Sequence, residues 1–110
     1  MVITSNGIFD VRLDKELQLT DEKIEGNSFK FKIYDVNIDI SLDNNNLNIK
    51  LEQAYKLRRF FLLMFSIMDY LHVKNILVQS TDNSYTTHRS LLYVGFNYDK
   101  HSKMYAFVSK

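Results

Sequence analysis

Ser28-Phe29-Lys30-Phe31-Lys32-Ile33-Tyr34-Asp35-Val36-Asn37-Ile38-Asp39-Ile40-Ser41-Leu42 is the stretch that decides the fold. Phe29, Phe31 and Ile33 alternate with Lys30 and Lys32, the period-two signature of a strand with one buried face. The apolar parity then flips, and Val36, Ile38, Ile40 and Leu42 take the even positions. Such a pattern changes parity only through an extra residue or a reversal of the chain. Tyr34-Asp35 is therefore a bulge or a tight hairpin turn, and the turn is favoured. Asp43-Asn44-Asn45-Asn46 supplies residues that tolerate left-handed backbone. Leu47, Ile49 and Leu51 then form a third alternating strand, so residues 28–52 read as an antiparallel meander.

Working forward, residues 53–72 change period. Ala54, Leu57, Phe60, Phe61, Met64 and Phe65, followed by Ile67, Met68 and Leu71, recur at helical spacing. Arg58, Arg59, Ser66 and Asp69 fall on the opposite side. A sector this wide requires cover from a sheet, and it suggests an interface or a homodimer besides. Ile76-Leu77-Val78 is a short apolar run of the kind found in strands buried on both faces. Ser80-Thr81-Asp82 offers N-caps for a second helix over about Asn83 to Val94, with Gly95 as a left-handed C-cap. Met104 to Val108 is the final strand.

Working backward, Gly7 to Leu13 is a candidate strand. Thr20-Asp21-Glu22-Lys23 reads as the cap and first turn of a short helix, which Gly26-Asn27 stops. The expected fold class is α+β, one domain over 1–110, with a mixed, mostly antiparallel sheet and two main helices. It divides into an abbreviated N-terminal part (1–27), the meander (28–52), a helix-strand-helix unit (53–96) and the last strand (97–110). A helix between two strands of one sheet implies a crossover.

The chain has 110 residues, 45% of them hydrophobic and 25% charged, a composition that packs a single core. It has no cysteine, which removes disulfides, thiolate zinc sites and a cysteine nucleophile. His72, His88 and His101 are scattered, against a histidine metal site. Met1-Val2-Ile3 begins no secretory leader, and Phe60–Phe65 is far short of a membrane span. A soluble cytoplasmic protein is expected. Proline, tryptophan and cysteine are absent while Asn, Lys, Ile, Tyr and Phe abound, which fits an AT-rich gene from a low-GC bacterium, a phage or a mobile element. A phage protein would then act in its host's cytoplasm.

Residues 1–52 carry ten acids and six bases, net −4; residues 53–110 carry three acids and eight bases, net +5. The asymmetry reads either as chance distribution over a solvated surface or as a partner-facing surface of each sign. Either is too mild for non-specific nucleic-acid binding, which needs many simultaneous phosphate contacts. Lys30 and Lys32 lack the aromatic platform of a single-strand binder. Asp82, His88 and Ser90 crowd one helix entry, too local for a catalytic triad. His88 and Arg89 read as helix surface. Tyr55, Tyr70, Tyr85, Tyr93 and Tyr98 divide between core or rim and interface anchors, since tyrosine suits protein contacts.

Residues 76–96 resemble the GNAT superfamily of N-acetyltransferases: a buried strand (Ile76-Leu77-Val78), an Asn-containing loop (Asn83), a helix and a Gly-Phe end (Gly95-Phe96). Thr87, Arg89 and Gly95-Phe96 match the spacing of the branch that acetylates ribosomal-protein amino termini. The resemblance extends in element order over about residues 28–110. It implies acetyl-CoA, with pyrophosphate held on a loop of the form Gln/Arg-x-x-Gly-x-Gly/Ala before the long helix. Bare backbone N–H groups make such a cradle. Here the loop reads Gln53-Ala54-Tyr55-Lys56-Leu57-Arg58-Arg59-Phe60-Phe61, and Leu57, Arg59 and Phe61 stand where small residues are needed. They are expected to crowd a pyrophosphate. The family's frequent general-acid Tyr falls at Leu91, and Tyr93 faces elsewhere. The leading reading is thus a GNAT-like protein with its chemistry lost and no cofactor, an inhibitor or accessory protein contacting a partner through Tyr55, Lys56, Arg58 and Arg59. The alternative is an active N-acetyltransferase using acetyl-CoA, with Glu52 as base and Lys56, Arg58, Arg59 and Asn83 on the cofactor.

Overall fold

The structure, a computed structural model, describes residues 3–4, 7–8, 19–26, 28–43, 45–54, 56–82 and 84–109. Tyr34 and Asp35 both adopt left-handed backbone, with φ of 51° and 64°. That is the two-residue turn whose twist matches a right-twisted hairpin. It pairs Ile33 with Val36, Phe31 with Ile38 and Phe29 with Ile40. The parity flip is this turn, and it keeps all six side chains on one face. The hairpin strands are β4 (Ser28–Ile33) and β5 (Val36–Leu42). Strand β6 (Asn46–Leu51) follows antiparallel, pairing Leu42 with Leu47. The Asp43 carboxylate shapes the connecting turn, accepting from the Asn46 N–H at 2.9 Å and the Asn48 amide at 3.0 Å. The Asn48 bond is the largest cause holding the Asp43 carboxyl below its usual range.

Upstream, Ile3–Thr4 (β1) pairs with Gly7–Ile8 (β2) as a two-strand ladder. Of the candidate strand Gly7–Leu13, positions 9–13 lie outside the described residues. Thr20–Lys23 does not start a helix. Residues Thr20–Glu25 are strand β3, antiparallel to β4, with an irregularity between Thr20 and Lys23 where Asp21 has φ 55°. Local capping chemistry yields here to the open backbone edge of β4, which offers a ladder of hydrogen bonds. Glu25 adds exposed ion pairs to Lys30 at 2.9 Å and Lys23 at 3.3 Å, each a minor contribution at the surface.

After β6 the chain makes its crossover through α1 (Arg58–Ser66) and α2 (Met68–Leu71), then returns as β7 (Asn75–Ser80), parallel to β6. The helix is shorter than its apolar pattern suggests. Lys56, with φ 67°, precedes its start, and the ladder is interrupted at Ile67. Helix α3 (Tyr85–Val94) ends at Gly95, whose φ of 124° suits a residue without Cβ. An added Cβ there meets Phe107 no closer than 3.6 Å, so backbone angle rather than space favours glycine. Strands β8 (Asn97–Asp99) and β9 (Met104–Val108) form a last hairpin, with β9 set between β7 and β8. The polar residues of β8 carry no strand pattern, and the sequence reading passes over it.

The result is a single-domain α+β fold with a seven-stranded, mostly antiparallel sheet in the order β3-β4-β5-β6-β7-β9-β8. The inward residues of β4 to β7, from Phe29 to Val78, are almost wholly buried. Rings run through this core from Phe31 to Phe60 (6.0 Å), Phe61 (5.3 Å) and Phe96 (5.2 Å), and Phe65 stacks on Phe107 at 4.0 Å. The opposite sheet face is wetter. Lys30, Asn37, Lys50 and Gln79 are exposed, and Leu77 is only half-buried. Strand β7 is therefore not buried on both faces. The apolar sector of α1 is consumed by the protein's own core, leaving Leu62 outside at 45% exposure.

Replacing Tyr34-Asp35 by Asn-Gly, the pair best suited to this turn, is expected to stabilise the fold by about 1 kcal/mol. A thermal melt should rise by about 4–8 °C. An unchanged or lower midpoint would contradict the turn assignment.

Candidate functional site

The junction between β6 and α1 carries Glu52, Lys56, Arg58 and Arg59; α1 starts there without a side-chain cap, and N–H groups just before it are bonded within the fold. The Glu52 N–H donates to the Asn37 carbonyl (3.4 Å), that of Ala54 to Thr87 Oγ1 (3.4 Å) and that of Leu57 to the Ala54 carbonyl (3.1 Å). Across the junction the Thr81 N–H donates to the Leu51 carbonyl (3.0 Å), and Ser80 Oγ to the Glu52 carbonyl (3.2 Å). Parallel pairing of β6 and β7 thus continues past Leu51↔Ser80, the last register pair. Leu57 and Phe61 do not crowd the surface as expected. They are buried at 0% and 1% exposure and pin the junction to the core, while Arg59 is exposed. Among the described residues, a dimple of about 90 Å³ lies above, bordered by Lys56, Arg58, Ser90 and Tyr93, well under the roughly 300 Å³ where small-molecule sites begin.

The structure does not bring the remaining candidates together. Glu52 faces the sheet, where its carboxylate takes the Asn37 side-chain amide as donor and a longer contact from the Asn37 N–H at 3.5 Å. It lines a separate groove with Lys30 and Lys50 and shares no lining residue with the dimple. Tyr55 and Asn83 lie outside the described residues, as does the side chain of Tyr70. Arg58 lies over the Tyr93 ring at 5.5 Å, and Arg89 over Tyr85 at 5.7 Å. Tyr93 is 77% exposed while Leu91 is fully buried. The outer surface of the helix layer therefore combines Arg58, Arg59, Arg89, Tyr85 and Tyr93 with exposed Leu62 and Leu92.

The entry to α3 is closed by its own carboxylate. Asp82 accepts from Thr87 Oγ1 (2.6 Å), Ser84 Oγ (2.7 Å) and the Ser84 N–H (2.9 Å). The Thr87 bond, followed by those from Ser84, holds the Asp82 carboxyl below its usual range. Ser84 is the N-cap, its Oγ accepting from the Thr87 N–H at 3.2 Å. Asp82, His88 and Ser90 form no triad. His88 turns to Tyr105, and Ser90 Oγ donates to the Thr86 carbonyl at 2.8 Å. Among the described residues no cluster of His, Asp and Glu could hold a metal ion.

His88 is half-buried, in surroundings more specific than a helix surface. Its Nδ1 lies 2.7 Å from the Tyr105 hydroxyl, and its ring meets Tyr98 edge-on at 5.2 Å. Tyr98 and Tyr105, a register pair of β8 and β9, pack at 4.7 Å. Burial, and secondarily Tyr98, pushes the Tyr105 phenol above its ordinary value. These rings wall a cleft of about 580 Å³ reaching Gln79, Lys103 and Tyr85. Its recognition depends on β8, for which the sequence gives no strand signal. No known family model, curated protein or solved structure matches this chain.

Ser84→Ala is expected to cost about 1 kcal/mol in urea unfolding through loss of the cap; no change would contradict the cap. Asp82 is the pH-dependent partner. Its folded value is depressed, so its contribution is complete above its ordinary value of 3.8 and is lost as pH falls through the lower folded value. The stability difference between the wild type and Asp82→Asn should shrink across that acid range, and a constant gap would refute it.

Proposed function

We propose that this chain is a GNAT-like domain that works by binding a partner protein, with acyl-CoA chemistry lost. The order of meander, crossover, parallel strand, α3 with its Gly95-Phe96 end, and closing strands supports the likeness. The observation that carries the loss of chemistry is the filled junction, where Leu57 and Phe61 are buried and the dimple among the described residues is small. Glu52, Ala54 and Leu57 spend their N–H groups internally, and the dimple beside Lys56 and Arg58, at about 90 Å³, is well under the roughly 300 Å³ of a usual small-molecule site. Leu91 stands where the resemblance implies the proton-donating Tyr, and it is buried in the core. The Glu52 carboxylate accepts from the Asn37 side-chain amide on the sheet face and lines a groove separate from the dimple.

The partner surface in this reading is the outer helix layer around Lys56, Arg58 and Arg59, widened by Tyr93, Arg89 and Tyr85. Arginine and tyrosine dominate binding hot spots because they offer large contact area with directional polar ends. The composition fits an AT-rich gene of a phage or mobile element, and an inhibitor or accessory role there is part of the same proposal. No helix among the described residues is long and apolar enough to cross a membrane.

Titration calorimetry with acetyl-CoA is expected to show no binding; a micromolar dissociation constant would overturn the proposal in favour of an active N-acetyltransferase. For the partner surface, Arg58→Ala/Tyr93→Ala should fold cooperatively yet lose the protein that co-purifies with the wild type from its native host. Retention of that protein by the double variant would place the contact elsewhere.

A further inference from the structure

We infer that the cleft between the α3 entry and the β8–β9 hairpin is a binding site for a planar aromatic or heteroaromatic carboxylate. The cleft shares Tyr85 with the proposed partner surface but is argued from Tyr98, Tyr105, His88 and Lys103, which that surface does not use. At about 580 Å³ the cleft falls within the range of small-molecule sites, and secondary structure or its tight turns build its walls. The β8–β9 turn is fixed by Asp99, which accepts from the His101 N–H at 2.9 Å and Ser102 Oγ at 3.0 Å, while the Lys103 N–H donates to the Asp99 carbonyl at 2.8 Å. The Asp99 carboxyl is held below its usual range by those bonds, that from the His101 N–H first.

The chemistry of the walls selects the ligand. Tyr98 and Tyr105 are tilted 44° at 4.7 Å, and His88 stands perpendicular to Tyr98 at 88°. Rings in mutual contact form a continuous apolar wall rather than a cage around a void, so they favour a flat ring laid against them over an enclosed ammonium group. Tyr98 remains 37% exposed and Tyr85 71% exposed, leaving aromatic surface to cover. Lys103 is the cation on the lining, opposed to a positively charged ligand and placed to take a carboxylate by a charge-assisted bond. Gln79, exposed at the end of β7, adds a donor and an acceptor. Asp82 sits on the same lining and is ionised at neutral pH, which disfavours a polyphosphate and limits the ligand to a single negative charge.

Three probes sharing one ring test this: indole-3-propionate, its neutral amide and tryptamine. The chain has no tryptophan, so indole emission reports the ligand alone. The expected result is saturable anisotropy with indole-3-propionate and amide shifts confined to Gln79, Tyr98, Lys103 and their neighbours. The neutral amide should bind at least about fivefold more weakly and tryptamine more weakly still. Lys103→Gln, an exposed change that leaves the core intact, should reduce the anion to the level of the neutral probe. Equal binding of all three, strongest binding by tryptamine, shifts outside the cleft, an unchanged Lys103→Gln affinity, or no saturation by about 5 mM would each overturn the assignment.

Discussion

The parallel pairing of β6 with β7 is the joint on which the structure turns. On one side of it the meander stacks β3, β4 and β5 outward; on the other, β9 and β8 extend the sheet. Parallel neighbours need a crossover connection, and here that connection is α1 and α2, whose buried face supplies Phe60, Phe61 and Met64 to the core. The pair is held from end to end. Asn75 donates its side-chain amide to Asn46 at 2.8 Å at the start, and Thr81 bonds to Leu51 at the finish. Closing the finish also places Ala54 within reach of Thr87, tying the crossover to α3.

That closure has chemical consequences. A phosphate cradle works by pointing unsatisfied peptide N–H groups at an anion. Although α1 begins without a side-chain cap, the junction's Glu52, Ala54 and Leu57 N–H groups are satisfied within the fold, and binding phosphate through them means breaking bonds first. The anion-attracting end of α3 is likewise satisfied, by Asp82, Ser84 and Thr87. Open surface chemistry is found elsewhere: on the outer helix layer, where Arg58 and Arg89 stack on tyrosines, and in the aromatic cleft beside Lys103.

Much of the fold was legible because its signals were strong and local. The alternation of Phe29 to Leu51 and the turn at Tyr34-Asp35 specified the meander, and the burial of Leu57, Phe60, Phe61, Met64, Ile67, Met68 and Leu71 followed from helical spacing. The sequence misled where tertiary context outweighed local preference. Thr20–Lys23 has capping residues, yet it pairs with the edge of β4. Leu57 and Phe61 have the bulk to block a ligand, yet they turn inward. Lys56, Arg58 and Arg59 stand out in the sequence by their clustering, whereas nothing there marks the His88–Tyr98–Tyr105 group. Its members are ten and seven residues apart in sequence, and only the register of β8 with β9 brings the rings together.

Amide hydrogen exchange at the junction tests the central claim most directly. The engaged N–H groups of Ala54 and Thr81 should exchange slowly, at rates comparable to the interior of β6 and β7, and unchanged by millimolar coenzyme A. Rapid exchange at these two amides, or marked slowing when coenzyme A is added, would contradict the account.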